Sequence, residues 1–128
     1  MDTDLAGFAI KHLQGKGASY VEARMESHEG SGFVLKNGNP EVSGFDESSG
    51  IGIRFILNGN MGFATTNKLS KNEIRDVVER ALRLTRSGSK IGENISFSDS
   101  KEVNDKFKVV QKQNILNVDP SEKLKIIK

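Results

Sequence analysis

Cysteine is absent from the 128 residues, which excludes disulfides, thiolate zinc sites and a cysteine nucleophile. Histidine occurs only at His12 and His28, so a catalytic zinc centre with three protein ligands would need carboxylates, for which no spacing is evident. No apolar run approaches the ~20 residues of a membrane helix, and the opening Met1-Asp2-Thr3-Asp4 is acidic where a signal peptide would be basic. A cytoplasmic protein without a membrane contact is therefore expected, and the sequon Asn94-Ile95-Ser96 reads as accidental. Charge of one sign is also lacking: 19 basic against 17 acidic residues leave a net charge of +2, which gives no case for direct nucleic-acid binding. The length suits one domain with one apolar core, or part of a larger one.

What is present is an alternating pattern with an unusual glycine content. Ile51, Ile53, Phe55 and Leu57 alternate with Gly50, Gly52, Arg54 and Ile56, the period of a strand with one packed face. Asn58-Gly59 supplies the positive φ angles of a tight hairpin turn, and Met61, Phe63 and Thr65 begin a returning strand. Gly50 and Gly52 leave the second face bare, which weakens a strand unless a backbone or ligand approaches there.

The rest of the chain reads around this hairpin. Thr3 or Asp4 is expected to cap a first helix over residues 3 to 14, with Leu5, Phe8, Ala9 and Leu13 on one face and His12 at its edge, ending before Gly15 and Gly17. Ala18 to His28 reads as a strand, with Val21, Ala23, Met25 and Ser27 on one side and Tyr20, Glu22, Arg24, Glu26 and His28 on the other. Gly30 and Gly32 bracket a connection, and Lys36-Asn37-Gly38-Asn39 gives a second hairpin before Pro40 and a strand from Glu41 to Phe45, with Gly44 at a bulge. Ser70 and Glu73 form a capping box for a helix to residue 86, whose stripe is Ile74, Val77, Val78, Ala81, Leu82 and Thr85. Beyond Gly88, Ser, Gly, Asn, Asp and Lys dominate; the reading is a linker, a short strand at Phe107 to Val110, and the start of a helix at Asp119-Pro120-Ser121-Glu122. That short helix is marginal alone, which suggests continuing sequence.

The run Glu47 to Asn67, with Gly17-Ala18-Ser19-Tyr20-Val21-Glu22-Ala23-Arg24 before it and Leu69-Ser70-Lys71-Asn72-Glu73 after it, resembles the amino-terminal region of the TldD/PmbA family. The family is known as modulators of DNA gyrase, and several members are zinc metallopeptidases that degrade unstructured peptides. The resemblance implies that members are several times longer than this chain and carry a zinc-binding helix of His-Glu-x-x-x-His type elsewhere. It therefore implies no catalytic residue and no cofactor here, zinc in the remainder of the parent, and pairing with a family member as a homodimer or heterodimer.

Other motifs fail on their geometry. His28-Glu29 is followed by Gly30 and Gly32, which break a zinc-peptidase helix, so no metal site is expected. Gly50-Ile51-Gly52 lacks the third glycine of a dinucleotide fingerprint, with Phe55 in its place. Ser48-Ser49-Gly50 is an ordinary turn sequence. Phe33, Phe45, Phe55 and Phe63 sit mostly in apolar registers and are expected in the core, leaving Tyr20 alone as no platform for single strands.

The expectation is an α+β fold: an antiparallel sheet of about four to five strands, including two Asn-Gly hairpins, packed on one side by two helices, with a loosely structured C-terminal tail. Residues 1–87 would form the domain and residues 88–128 the linker and truncated helix. Functionally, the chain would be the non-catalytic amino-terminal domain of a metallopeptidase, with Gly50, Gly52 and Arg54 as candidate substrate-binding residues. The glycine strand or its neighbour would offer backbone to an extended peptide, and Arg54 would steer a peptide carboxylate. Close packing of a helix on the glycines is the competing account. A stand-alone regulatory module, gyrase-associated or not, is the rival function.

Overall fold

The computed structural model describes residues 3–88 and 94–128. In chain order the elements are α1 (Thr3–Gly15), β1 (Tyr20–Lys36), β2 (Asn39–Leu57), β3 (Asn60–Thr66), α2 (Lys71–Gly88), a 3₁₀ turn (Ile115–Asn117) and α3 (Pro120–Ile127). The α+β class stands, with three antiparallel strands in the order β1-β2-β3 and three α-helices among the described residues.

The four to five expected strands are three because β1 and β2 are long. β1 runs 17 residues through Gly30 and Gly32, and β2 runs 19 through Pro40 and Gly44. Glycine interrupts a strand when the chain needs a φ that other residues avoid, and none of these glycines has a positive φ. Positive φ is found at Asn37 and Gly38 and again at Asn58 and Gly59, the pairs that lie between β1 and β2 and between β2 and β3. The expected strand at Phe107 to Val110 is also absent: these residues have no regular structure, and Phe107 and Val110 are almost fully exposed.

The chain divides into two compact units. One comprises residues up to Ser27 and Ser48–Asp99; the other comprises His28–Glu47 and Ser100–Lys128. Of the expected linker from residue 88, Gly88 ends α2 and residues 89–93 lie outside the described residues.

In the first unit the core gathers Leu5, Ala9 and Leu13 of α1, Ile51, Ile53, Phe55 and Leu57 of β2, Ala64 of β3, and Ile74, Val78, Ala81 and Leu82 of α2. Val21, Ala23 and Met25 of β1 pack against it. Both helices therefore cover the Ile51, Ile53, Phe55, Leu57 face of the sheet, and the face carrying Gly50, Gly52 and Arg54 is the other one.

The helix starts follow local hydrogen bonding. Ser70 Oγ accepts from the Glu73 N–H at 3.3 Å, while the Ser70 N–H goes to the Lys68 carbonyl, so the Ser70–Glu73 box is closed on one side. α1 begins at Thr3, so Thr3 and Asp4 lie inside the helix and the position before them lies outside the described residues. In the second unit, Asp119 Oδ1 accepts from the Ser121 N–H at 2.8 Å and Pro120 occupies the first turn of α3.

α1 and α2 are joined by a charged contact. Glu79 Oε1 meets His12 Nε2 at 2.8 Å and Lys16 Nζ at 3.3 Å, and the Phe8 ring stacks on His12. The hydrogen bond from His12, aided by Lys16 and opposed by burial, holds the Glu79 carboxyl below its ordinary value of 4.5. A carboxyl depressed on folding stabilises above its unfolded pKa, and that stabilisation disappears as pH falls through the folded value. Glu79→Gln should thus cost up to about 1 kcal/mol at pH 7 and close to nothing at pH 3, a partly exposed pair being worth little more. Urea midpoints of both proteins at the two pH values measure this, and an equal difference at both would show the carboxylate is irrelevant.

Candidate functional site

The sheet face opposite α1 and α2 is the candidate site; it is open along Phe63 and Thr65 and covered at Ile56, which is 3 % exposed. From β2 it presents Gly50, Gly52 and Arg54; from β3, Met61, Phe63 and Thr65; from β1, Tyr20, Glu22 and Arg24. The β2–β3 register places Arg54 opposite Phe63 and Gly52 opposite Thr65.

The three sequence-derived residues differ in circumstance. A Cβ on Gly50 would lie 3.2 Å from the Thr66 carbonyl oxygen, a tight contact with the backbone where β3 leaves the sheet. A Cβ on Gly52 would meet only the tip of the Phe63 ring, at 3.8 Å, an ordinary contact. Neither glycine is required by α1 or α2, which lie on the opposite face. β2 is the central strand, paired with β3 from Ile51 to Leu57 and flanked by β1 on its other side. Its backbone is thus engaged on both sides, and among the described residues the sheet edges are β1 and β3.

Arg54 is not a free cation. Its Nη2 donates to Glu22 Oε2 at 3.0 Å, and the Tyr20 hydroxyl donates to the same oxygen at 2.6 Å. The Tyr20 bond first, and then Arg54, lower the Glu22 carboxyl from its ordinary value; the Glu22 hydrogen bond raises Arg54 and Tyr20. The Arg54 guanidinium also lies over the Phe97 ring, 4.7 Å from its centroid, and Phe97 meets Tyr20 edge to face at 4.8 Å. Arg54 Nε is buried and, among the described residues, has no acceptor.

Tyr20, Glu22 and Phe97 complete a cluster that sequence reasoning gave only through Arg54. Opposite charges at alternating positions of adjacent strands, Glu22 and Arg54, were one available signal. Ile95 and Phe97 alternating with serines were another, inside a stretch read as linker.

The aromatic residues depart from expectation. Phe55 is buried, but Phe45 is 60 % and Phe63 63 % exposed. Phe63 thus adds an exposed ring to this face, where Glu22 and Glu26 stand among Arg24 and Arg54 and leave no basic surface for nucleic acid.

His28 and Asp46 pair at 3.3 Å in the second unit. Among the described residues no three His, Asp or Glu side chains are arranged to hold a metal. A groove of about 470 Å³ in that unit is lined by Phe33, Phe45, Leu116, Val118 and Pro120, with Lys123 donating to Ser31 at 2.9 Å.

Residues 21–85, just over half of the chain, match the family model for PmbA/TldA metallopeptidase domain 1. The chain belongs to the TldD/PmbA family. A zinc metalloprotease TldD homolog of Saccharolobus solfataricus is 34 % identical over 119 residues, covering 84 % of this chain and 26 % of the relative. A metalloprotease of Methanocaldococcus jannaschii is 28 % identical over 109 residues, covering 84 % of this chain and 24 % of the relative. Thus this TldD/PmbA chain spans about a quarter of the length of these relatives. Among solved structures, a protein of Bacteroides thetaiotaomicron described as a candidate modulator of DNA gyrase aligns over 97 % of this chain and 28 % of its own, with TM-score 0.78 and 16 % identity. TldE of Thermococcus kodakarensis aligns over 91 % of this chain and 27 % of its own, with TM-score 0.51 and 18 % identity. At these identities the two structures speak for a shared fold.

Proposed function

We propose that this chain is the amino-terminal, non-catalytic domain of a TldD/PmbA-like zinc metallopeptidase of the cytoplasm, contributing to peptide access and to contact with a second family member. The observation that carries the reading is the open sheet face, where Gly52 leaves room, Phe63 is exposed, and Arg54 stands among polar and aromatic partners. An unstructured peptide is the substrate class that such a face suits, because a bare strand face and exposed rings recognise little of its sequence. With β2 central, the peptide lies on this face or adds to an edge at β1 or β3. Zinc chemistry finds no ligand set among the described residues, so hydrolysis is assigned to other parts of a longer parent or to a partner.

Two measurements test the reading. The dialysed chain should hold well under one zinc per molecule and leave a casein-type peptide uncut; one tightly bound zinc with cleavage by the chain alone would overturn it. In a full-length family member carrying this domain, Gly52→Val should lower peptide turnover about tenfold with the fold intact, the loss of about 1.4 kcal/mol of transition-state binding. Unchanged turnover would remove peptide access from the role of this face.

A further inference from the structure

We propose that the corner formed by Tyr20, Glu22 and Arg54 is a binding site for an aromatic side chain of an extended peptide, and that Phe97 occupies it in cis. The inference rests on the reading above only in taking peptide as the ligand.

The wall of the site stands without Phe97. Tyr20, Glu22 and Arg54 project from β1 and β2 and are tied together by the 2.6 and 3.0 Å bonds to one carboxylate oxygen. The pair Glu22–Arg54 cancels its own charge, so the corner offers a guanidinium face and a phenol ring to a neutral ring rather than a field for an anion.

Phe97 has the marks of a tethered ligand. It lies in a stretch without helix or strand, and a main-chain bond from the Ile95 N–H to the Gly59 carbonyl, 2.7 Å, clips that stretch to the turn between β2 and β3. The ring remains 37 % exposed and Tyr20 36 %, unlike Phe55, which is fully buried. Edge-to-face and cation–π contacts at an exposed position are weak enough to exchange.

The orphan donor points the same way. Arg54 Nε is buried with no acceptor among the described residues, and buried donors are ordinarily satisfied. The segment that carries Phe97 leaves this donor unmet, so a free peptide, not held by the Ile95–Gly59 bond, can seat its ring and also bring a carbonyl to Nε. Gly52, beyond Arg54 on the same face, leaves room for the flanking residues.

The sequence provides a reporter: Tyr20 is the single tyrosine and tryptophan is absent. The test titrates the 128-residue chain, with Phe97→Ala or Phe97→Leu, against the acetylated, amidated hexapeptide Asn-Ile-Ser-Phe-Ser-Asp, which reproduces residues 94–99. Tyr20 emission follows binding. Both variants should show a saturable change, and the unsubstituted chain should bind about tenfold more weakly, as when its own ring fills the site about nine-tenths of the time. The same hexapeptide with serine for phenylalanine should produce no saturable change. No saturation in the variants, equal affinity for the unsubstituted chain, or equal affinity of the ring-free peptide would each overturn the proposal. So would unfolding of both variants, which would make Phe97 part of the core. Because the titration involves no hydrolysis, its failure would leave the turnover of a full-length Gly52→Val enzyme as a separate result.

Discussion

Phe55→Ala is expected to destabilise the chain by about 3–5 kcal/mol, the range for truncating a fully buried aromatic residue. Phe55 has no exposed surface and sits two residues before the end of β2, with the core residues of α1, α2 and β3 gathered around this face of the sheet. Its cross-strand partner is Gly62, which has no side chain with which to fill the resulting space. Thr85, close above Gly62, is buried with its hydroxyl donating to the Ala81 carbonyl at 2.8 Å, so it cannot turn inward without losing that bond. Poor collapse places the cost towards the upper end, a large share of the roughly 5–15 kcal/mol that holds a domain folded. Urea denaturation measures it as a lower midpoint with an unchanged slope. A loss below about 1 kcal/mol would show that neighbouring side chains refill the site and that Phe55 is not its centre.

The same pair explains what the sequence reveals and what it hides. In β2, large apolar residues occupy every second position, and Ile51, Ile53, Phe55 and Leu57 are all buried. Helix α2 behaves alike, since Ile74, Val78, Ala81, Leu82 and Thr85 at helical spacing form its buried stripe. Apolar size misleads in β3. Met61 and Phe63 invite assignment to the core, yet the buried residues are Gly62 and Ala64, because opposite them stand Phe55 and Ile53. Space in a core is shared across strands, and a position filled from β2 must be empty on β3. A single-strand pattern carries no record of that partner.

The candidate site was legible to a similar degree. Gly50, Gly52 and Arg54 do share the open face, as their two-residue spacing requires. Their different surroundings were not legible: Gly50 lies under the Thr66 carbonyl, Gly52 beneath the Phe63 ring, and Arg54 between Glu22 and Phe97. Glu22 lies 32 residues from Arg54 in sequence, and Phe97 follows a whole helix, so pairing and return of the chain bring them together. Arg54, expected to steer a peptide carboxylate, has a protein carboxylate already. A half-buried arginine with a carboxylate partner retains its ring-binding face, which is the property used in the corner beside Tyr20.

Gly62→Ala should cost about 3 kcal/mol, at the upper end of ordinary overpacking, although it adds a single methyl group. The added Cβ would overlap the Phe55 ring and the Thr85 hydroxyl, neither of which is the loose end of an exposed side chain. The Phe55 ring is enclosed on its strand, and Thr85 is held by its bond to Ala81. Gly52→Ala, one strand away, meets only the exposed Phe63 tip at 3.8 Å and should be neutral or slightly stabilising, since alanine restricts the unfolded chain. The contrast separates steric demand from a general cost of replacing glycine in a strand. If the overlap with the ring is the cause, Gly62→Ala made in the Phe55→Ala background should cost markedly less than in the original chain, because the methyl then enters space that the ring has vacated. A double-mutant cycle by urea denaturation reads this as a coupling of about 1–3 kcal/mol, in the range for residues in direct contact. Additive costs would locate the strain at Thr85 instead, and Thr85→Ser, which keeps the hydroxyl, would then leave the Gly62→Ala penalty in place while Thr85→Ala relieves it.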